Sequence, residues 1–126
     1  MKHDISIQDH IFLIILSGGI SPREYGTVAK DLVNLPQWKP GMPVLIDYSY
    51  IDLSKETGKD AQQYVQAIAP FRAGLGNGRL ACVNTNPADF GLGRIWQSFM
   101  ELMTDLEVGI FYTYDEAVRW LTEPDQ

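Results

Sequence analysis

Cysteine, histidine and basic residues are scarce in this chain of 126 residues, and each scarcity excludes a class of function. Cys82 is the one cysteine, so no internal disulfide can form and we expect a cytoplasmic protein. Ten lysines and arginines stand against sixteen aspartates and glutamates, which gives a net charge of -6. The cations are scattered singly, whereas neutralising phosphates requires a positive surface, so we expect no nucleic-acid partner.

Long apolar runs and common enzyme signatures are also missing. The longest apolar run covers residues 11–16, whereas a membrane-spanning helix needs about 20 apolar residues, so we predict no integral membrane segment. The chain contains no Walker lysine and no Gly-x-Ser-x-Gly sequence, and the spacing of His3 and His10 matches no established metal site. We therefore predict no catalytic residue, no metal site and no cofactor, and we expect that the protein is not an enzyme.

What the chain does have is an apolar content of 45% without repeats or low-complexity tracts, which predicts one folded domain over residues 1–126. Strand-like and helix-like periods then alternate along it. Strands are predicted in residues 5–16 (one or two strands), 44–48, 80–83 and 107–112. Helices are predicted after Ser21, in residues 61–68, after Asn86 and after Thr113. This order predicts an α/β fold in which four helices cover a mostly parallel sheet of four to five strands.

The carboxyl ends of parallel strands are where such sheets meet ligands, together with the helix N-termini that follow them. This rule selects four loops, which we expect to lie along one edge of the sheet: residues 17–21, 49–57, 84–91 and 113–114. Most polar residues in such loops serve as helix caps and turns, so each loop has a structural interpretation beside a functional one.

Three candidate binding residues, Asp52, Ser54 and Thr57, come from the second of these loops. A hydroxyl at a helix start is usually an N-cap, which is the structural interpretation. The functional interpretation is phosphorylation, with Ser54 as the candidate site, because a dianion at a helix N-terminus is favoured by the helix dipole and alters a docking surface. Asp47 and Asp52 also form a candidate carboxylate pair, although no complementary nucleophile lies nearby in the sequence.

Asn86 and Arg94 are the candidate anion-binding residues of the third loop. Free backbone amides at the helix start and the guanidinium two turns into the helix suit a phosphate or a carboxylate. The structural interpretation is that Asn86 caps the helix, Gly91 and Gly93 allow close packing, and Arg94 is a solvated charge. The same helix has the clearest apolar stripe, formed by Leu92, Ile95, Trp96, Phe99, Leu102 and Met103.

Tyrosines are plentiful near the predicted edge. Tyr48 and Tyr50 alternate along one strand and so are predicted to point to the same side of it. With Tyr112 and Tyr114 from the last strand they form a candidate groove or homodimer surface, while packing under a helix is the alternative.

Several segments together resemble the SpoIIAA-like family of small bacterial proteins, over nearly the whole chain. They are the leading strand pair with its α/β turns and residues 38–43 (WKPGMP), 44–49 (VLIDYS), 52–54 (DLS) and 90–94 (FGLGR). The resemblance implies a β-α superhelix without catalysis, related in fold to the STAS domains and to the lipid-binding CRAL-TRIO group. The sporulation members among STAS domains are anti-sigma-factor antagonists.

In those antagonists a partner kinase phosphorylates a serine at the start of the second helix, within an Asp-Ser-Ser-Gly stretch. The matching residues 52–58 read DLSKETG here, without the paired serine, so Ser54 is the nearest candidate. Two functions remain open. One is a regulatory or protein-interaction module, switched at Ser54. The other is a carrier for a small apolar or lipid-like ligand held between the helices and the sheet.

Overall fold

Five strands form one sheet, in the same order as they follow one another in the chain. The structure, a computed structural model, describes residues 2–19 and 21–123. The strands are β1 (Lys2–Gln8), β2 (Ile11–Ser17), β3 (Val44–Tyr50), β4 (Arg79–Val83) and β5 (Glu107–Phe111). Strand β1 pairs antiparallel with β2, and the remaining pairs are parallel. The predicted region 5–16 is therefore two strands, joined by Asp9 and His10, both of which adopt positive φ angles as in a two-residue hairpin turn.

Four helices of nine or more residues connect or follow the parallel strands, as predicted. They are α1 (Pro22–Val33), α2 (Gly58–Ile68), α4 (Phe90–Met103) and α5 (Tyr114–Thr122). A 3₁₀ turn (Ala69–Phe71) and a one-turn helix, α3 (Arg72–Leu75), follow α2. Within the described residues, no helix is both long and apolar enough to span a bilayer.

The strand order determines which face of the sheet each helix covers. Crossovers between neighbouring parallel strands are right-handed in nearly all proteins, so successive steps in one direction place α1, α2 and α4 on one face. Phe12, Ile14 and Leu16 of β2 pack into that main core. The alternate residues Ile11 and Leu13 point to the other face, where they belong to a smaller core with α5.

The segment 38–43 has a structural role at the amino ends of the strands. The indole N–H of Trp38 donates a hydrogen bond to the carbonyl of Gly74 at 2.8 Å, and the amide of Gly41 donates to the carbonyl of Leu75 at 3.0 Å. Gly76 has a φ of 79°, and a Cβ there would lie 2.5 Å from the Gly41 nitrogen, so a larger residue would push the two segments apart. These contacts hold the segment against the α3–β4 turn, at the end of the sheet opposite the predicted site.

The apolar stripe predicted for α4 is wider than the face that the helix buries. Trp96 and Met100 are buried, whereas Ile95 is 43% exposed and Leu102 is 75% exposed. The helix packs mainly against α2 and β5, and Ile95 and Leu102 lie on its solvent-facing side. Strand β5 also ends at Phe111, one residue before the predicted Tyr112.

Candidate functional site

The four predicted loops do lie along one edge of the sheet. Ile14 pairs with Ile46, Ile46 with Cys82, and Cys82 with Ile110, all in parallel register, so the strands β2 to β5 end at the same edge. The first loop includes Ile20, which lies outside the described residues. The other three loops lead into α2, α4 and α5.

A cavity opens at this edge, between the ends of β3, β4 and β5 and the helices α2 and α4. It has a volume of about 50 Å³ and is open to the solvent. The buried part of its lining consists of Tyr25, Tyr48, Ala61, Tyr64, Cys82 and Trp96. The partly buried part, toward the solvent, consists of Leu53, Asn84, Asp89, Phe90, Leu92, Gly93 and Ile110.

Four aromatic side chains from four elements form the inner wall of this cavity. The rings of Tyr25 and Tyr64 stack with their centroids 5.0 Å apart, and the ring of Tyr48 meets that of Trp96 edge-on at 6.0 Å. The hydroxyl of Tyr25 donates a hydrogen bond to the hydroxyl of Tyr48 at 2.8 Å. Burial raises the pKa of both phenols well above the ordinary value, so both side chains stay neutral.

The indole N–H of Trp96 is buried and has no hydrogen-bond partner within the described residues. Trp96 is only 5% exposed, and its side chain lines the cavity. Trp38, which is buried to a similar degree, satisfies its own indole N–H on Gly74. Because buried polar groups nearly always have a partner, the unpartnered donor of Trp96 needs an explanation.

Two further groups of the cavity wall are also kept protonated. The hydroxyl of Tyr64 donates to the carboxylate of Glu56 at 2.5 Å, which ties α2 to the loop before it. Desolvation and then this hydrogen bond raise the pKa of Tyr64. Burial alone raises the pKa of the Cys82 thiol, so the thiolate form is suppressed.

Of the two candidate hydroxyls in the second loop, Thr57 lies at a helix start and Ser54 does not. Thr57 is the N-cap of α2: its hydroxyl accepts from the amide of Asp60 at 3.3 Å, and the Asp60 carboxylate accepts from the amide of Thr57 at 2.8 Å. Ser54 lies three residues earlier, so its predicted position at a helix start is wrong. Its amide donates to Asp52 at 2.9 Å, and hydrogen bonds from Ser54 lower the pKa of Asp52. Of this loop, Leu53 rather than any predicted residue reaches the cavity.

The third loop does not form the predicted anion site. The amide of Ala88 donates to the side chain of Asn86 at 3.0 Å, and the amide of Asn86 donates to Asn84 at 2.9 Å, so both amides are already bonded. The carboxylate of Asp89, which accepts from Asn84 at 3.0 Å, would repel an anion there. Asn86 caps a 3₁₀ turn, Pro87–Asp89, that leads into α4.

Arg94 lies outside the lining of the cavity. Its side chain is exposed, and its guanidinium sits over the ring of Phe90, 5.9 Å from the centroid. Gly93, by contrast, does line the cavity, and a Cβ there would lie 3.1 Å from Ile110. The close approach of α4 to β5 that the glycines predicted is therefore present at Gly93.

The predicted groove of four tyrosines is not formed, because Tyr48 and Tyr50 do not share an environment. Tyr48 is buried under the helices, whereas Tyr50 is 66% exposed, next to a register shift between β2 and β3. Tyr112 stacks on Phe90, and the hydroxyl of Tyr114 donates to the buried carboxylate of Asp47. Asp47 also accepts from the amide of Ser49 at 2.8 Å, so it serves as a structural anchor here.

Sequence reasoning missed the residues that make the cavity polar. Trp96 belongs to the apolar stripe predicted for α4, and Tyr25 and Tyr64 lie inside predicted helices without any motif around them. The available signal was that a tyrosine on an inward stripe carries a hydroxyl that needs a partner. Across residues 2–19 and 21–123, no group of three or more His, Cys, Asp or Glu side chains is arranged to hold a metal ion.

Comparison with known proteins identifies the architecture. No protein-family model and no curated protein matches the chain. Among solved structures, an uncharacterized protein of the DUF3478 family from Shewanella loihica PV-4, described as having a SpoIIAA-like fold, superposes with a TM-score of 0.62. The two sequences are 16% identical, and the match covers 95% of this chain and 92% of that chain. The chain therefore has the SpoIIAA-like α/β fold that its sequence motifs implied.

Proposed function

We propose that this protein is a non-enzymatic binding module that holds a small, mainly apolar ligand in the cavity at the edge of the sheet. The observation that carries the proposal is that Trp96, whose side chain lines that cavity, has a buried indole N–H without a partner in the described chain. A bound molecule with an acceptor atom explains why the donor has no partner within the described chain. Cavities for drug-sized ligands measure roughly 300–1,000 Å³, so the volume of about 50 Å³ favours a small ligand over a lipid-like one.

The state of the ionisable groups supports binding rather than catalysis. Burial keeps Tyr25, Tyr48 and Cys82 protonated, and a protonated thiol is a poor nucleophile. Glu56 is engaged by Tyr64 and Asp89 by Asn84, so the carboxylates at the cavity have structural partners.

A regulatory protein-interaction module is the second candidate, and a separate observation favours it. Tyr50, Tyr112 and Tyr114 expose 66%, 41% and 39% of their surface at the same edge of the sheet, and tyrosine is enriched in protein interfaces. Ser54 is also exposed there, so a kinase would reach its hydroxyl. The partner in this case is another protein or a second copy of this chain.

Native mass spectrometry of the protein purified from its own source separates the two functions. A retained small molecule that is lost in Leu92→Trp supports the ligand-binding function, because Leu92 lines the mouth of the cavity. Leu102→Trp is the matched control, since Leu102 lies on the same helix and is 75% exposed. A clean mass, with a co-purified protein that Tyr50→Ser releases, contradicts ligand binding and supports the interaction module.

A further inference from the structure

Side chains of the inner wall of the cavity carry two hydrogen-bond donors that have no acceptor within the described residues. The indole of Trp96 can only donate, and it has no acceptor within the described residues. The hydroxyls of Tyr25 and Tyr48 share one hydrogen bond, so one of their two protons has no acceptor within the described residues. Placing that proton on Tyr48 gives two donors on neighbouring rings, with centroids 6.0 Å apart. One oxygen atom with two lone pairs therefore suits this wall.

The charges around the cavity exclude an anionic ligand. Among the described residues that line the cavity, none is Lys, Arg or His, and Asp89 contributes a carboxylate near the mouth. Glu56 adds a second carboxylate, bound to Tyr64. A carboxylate or phosphate would thus be buried without a counter-charge and beside like charges, which is costly. A cation is disfavoured at the inner wall, because the unpartnered groups of Trp96 and Tyr48 are donors.

The remaining lining determines the rest of the ligand. The mouth carries the apolar side chains of Leu53, Leu92 and Ile110, so the part of the ligand that lies there is apolar. An alcohol would add a third hydrogen-bond donor to a cavity whose wall already has two. A carbonyl oxygen, by contrast, only accepts hydrogen bonds. The volume of about 50 Å³ has room for that group and the atoms next to it.

We infer that the ligand is a small neutral carbonyl compound, whose oxygen accepts from Trp96 and Tyr48 while its apolar remainder lies between Leu53 and Leu92. This inference rests on the proposed ligand-binding function and names its chemical class. It requires no covalent step, because the carbonyl oxygen is held by hydrogen bonds only.

A pair of probes of one shape tests the inference. Acetophenone and α-methylstyrene differ in having C=O or C=CH₂ at the same position, and their dissociation constants are measured by NMR titration on wild type and Trp96→Phe. The ratio of the two dissociation constants is measured in wild type and in the variant. Dividing one ratio by the other cancels the effect of the different hydrophobicity of the probes. We expect Trp96→Phe to weaken acetophenone relative to α-methylstyrene by about tenfold, the effect of one lost hydrogen bond.

Controls keep the outcomes distinct. Trp38→Phe leaves the relative affinity unchanged, because the indole of Trp38 is already bonded to Gly74. If circular dichroism shows that Trp96→Phe does not fold, the double variant Tyr25→Phe/Tyr48→Phe removes both phenolic hydroxyls and repeats the test. Binding of both probes with a relative affinity that neither variant changes overturns the carbonyl assignment and leaves the cavity as a ligand site. Failure of both probes to bind wild type also overturns the carbonyl assignment, whereas the ligand-binding function itself is overturned by a clean mass in native mass spectrometry.

Discussion

The hydroxyl of Tyr114 donates a hydrogen bond to the carboxylate of Asp47, a residue that precedes it by 67 positions and is 2% exposed. This contact joins the start of α5 to the end of β3, on the sheet face opposite the cavity. Desolvation and the hydrogen bond to Asp47 raise the pKa of Tyr114, so the phenol remains a donor. It fixes α5 on a face that no other helix of the described chain covers.

Tyr114→Phe is expected to lower the free energy of unfolding by about 1–3 kcal/mol, because it takes a donor from a buried carboxylate. Urea denaturation monitored by circular dichroism measures the change. Tyr112→Phe is the control: its ring is 41% exposed and stacks on Phe90, and the substitution keeps that stacking. Equal stability of both variants and wild type would show that the Tyr114 contact does not hold α5.

The start of α2 is tested by comparing Thr57→Ala with Ser54→Ala. Thr57 caps the helix, so its loss is expected to cost about 1 kcal/mol of unfolding free energy. Ser54 lies in the exposed loop before the cap, and its replacement is expected to change the stability by less than about 0.5 kcal/mol. Thermal or urea unfolding distinguishes the two, and a larger loss for Ser54→Ala would contradict the position of the helix start.

The buried tyrosines predict a loss of stability in alkali. Burial holds the pKa of Tyr25 and Tyr48 above the ordinary value of 10.0, so only the unfolded chain releases these protons as the pH rises past 10. Their contribution to stability is full below pH 10 and is then lost by about 1.4 kcal/mol per pH unit for each tyrosine.

Urea unfolding at a series of pH values from 9 to 11 measures how steeply the free energy of unfolding falls once the pH exceeds the ordinary tyrosine pKa of 10.0. In Tyr25→Phe we expect a slope shallower by about 1.4 kcal/mol per pH unit above pH 10. Tyr50→Phe, at a side chain that is 66% exposed, should keep the wild-type slope. A slope that Tyr25→Phe leaves as steep as before would mean that Tyr25 ionises in the folded protein.

The two buried tryptophans form a matched pair for the stability of the cavity wall. Trp38→Phe and Trp96→Phe delete the same atoms from side chains that are 8% and 5% exposed, but only Trp38 loses a hydrogen bond. We therefore expect Trp38→Phe to lower the free energy of unfolding by about 1 kcal/mol more than Trp96→Phe does. A larger loss for Trp96→Phe in ligand-free protein would indicate that its indole N–H has a partner.

Element order and the common edge of the four loops were predictable, because both follow from hydrophobic period and from the geometry of parallel strands. The position of the α2 cap was also encoded, because Thr57 and Asp60 have capping-box spacing whereas Ser54 has no such partner three residues later. The hairpin was harder, since Asp9 and His10 form its turn without a glycine.

The cavity was beyond prediction from the sequence for a physical reason. Tyr25, Tyr48 and Trp96 belong to α1, β3 and α4, and which atoms meet depends on how these elements pack. The periodicity predicts that Trp96 is buried. Whether a buried indole has a hydrogen-bond acceptor, however, depends on differences of a few tenths of an ångström in the donor–acceptor distance. The predicted anion site does not form for the same reason. The side chains of Asn84 and Asn86 accept hydrogen bonds from the loop amides that would otherwise be free to bind an anion.

The most direct test of ligand binding is the indole N–H signal of Trp96 in a ¹H–¹⁵N correlation spectrum during addition of acetophenone. The chain has three tryptophans, and comparison with Trp96→Phe assigns the signal. We predict a saturable downfield shift of the Trp96 proton, while the signal of Trp38, bonded to Gly74, stays in place. A Trp96 signal that does not move up to the solubility limit of the compound would contradict the proposal that Trp96 donates to a carbonyl ligand in this cavity.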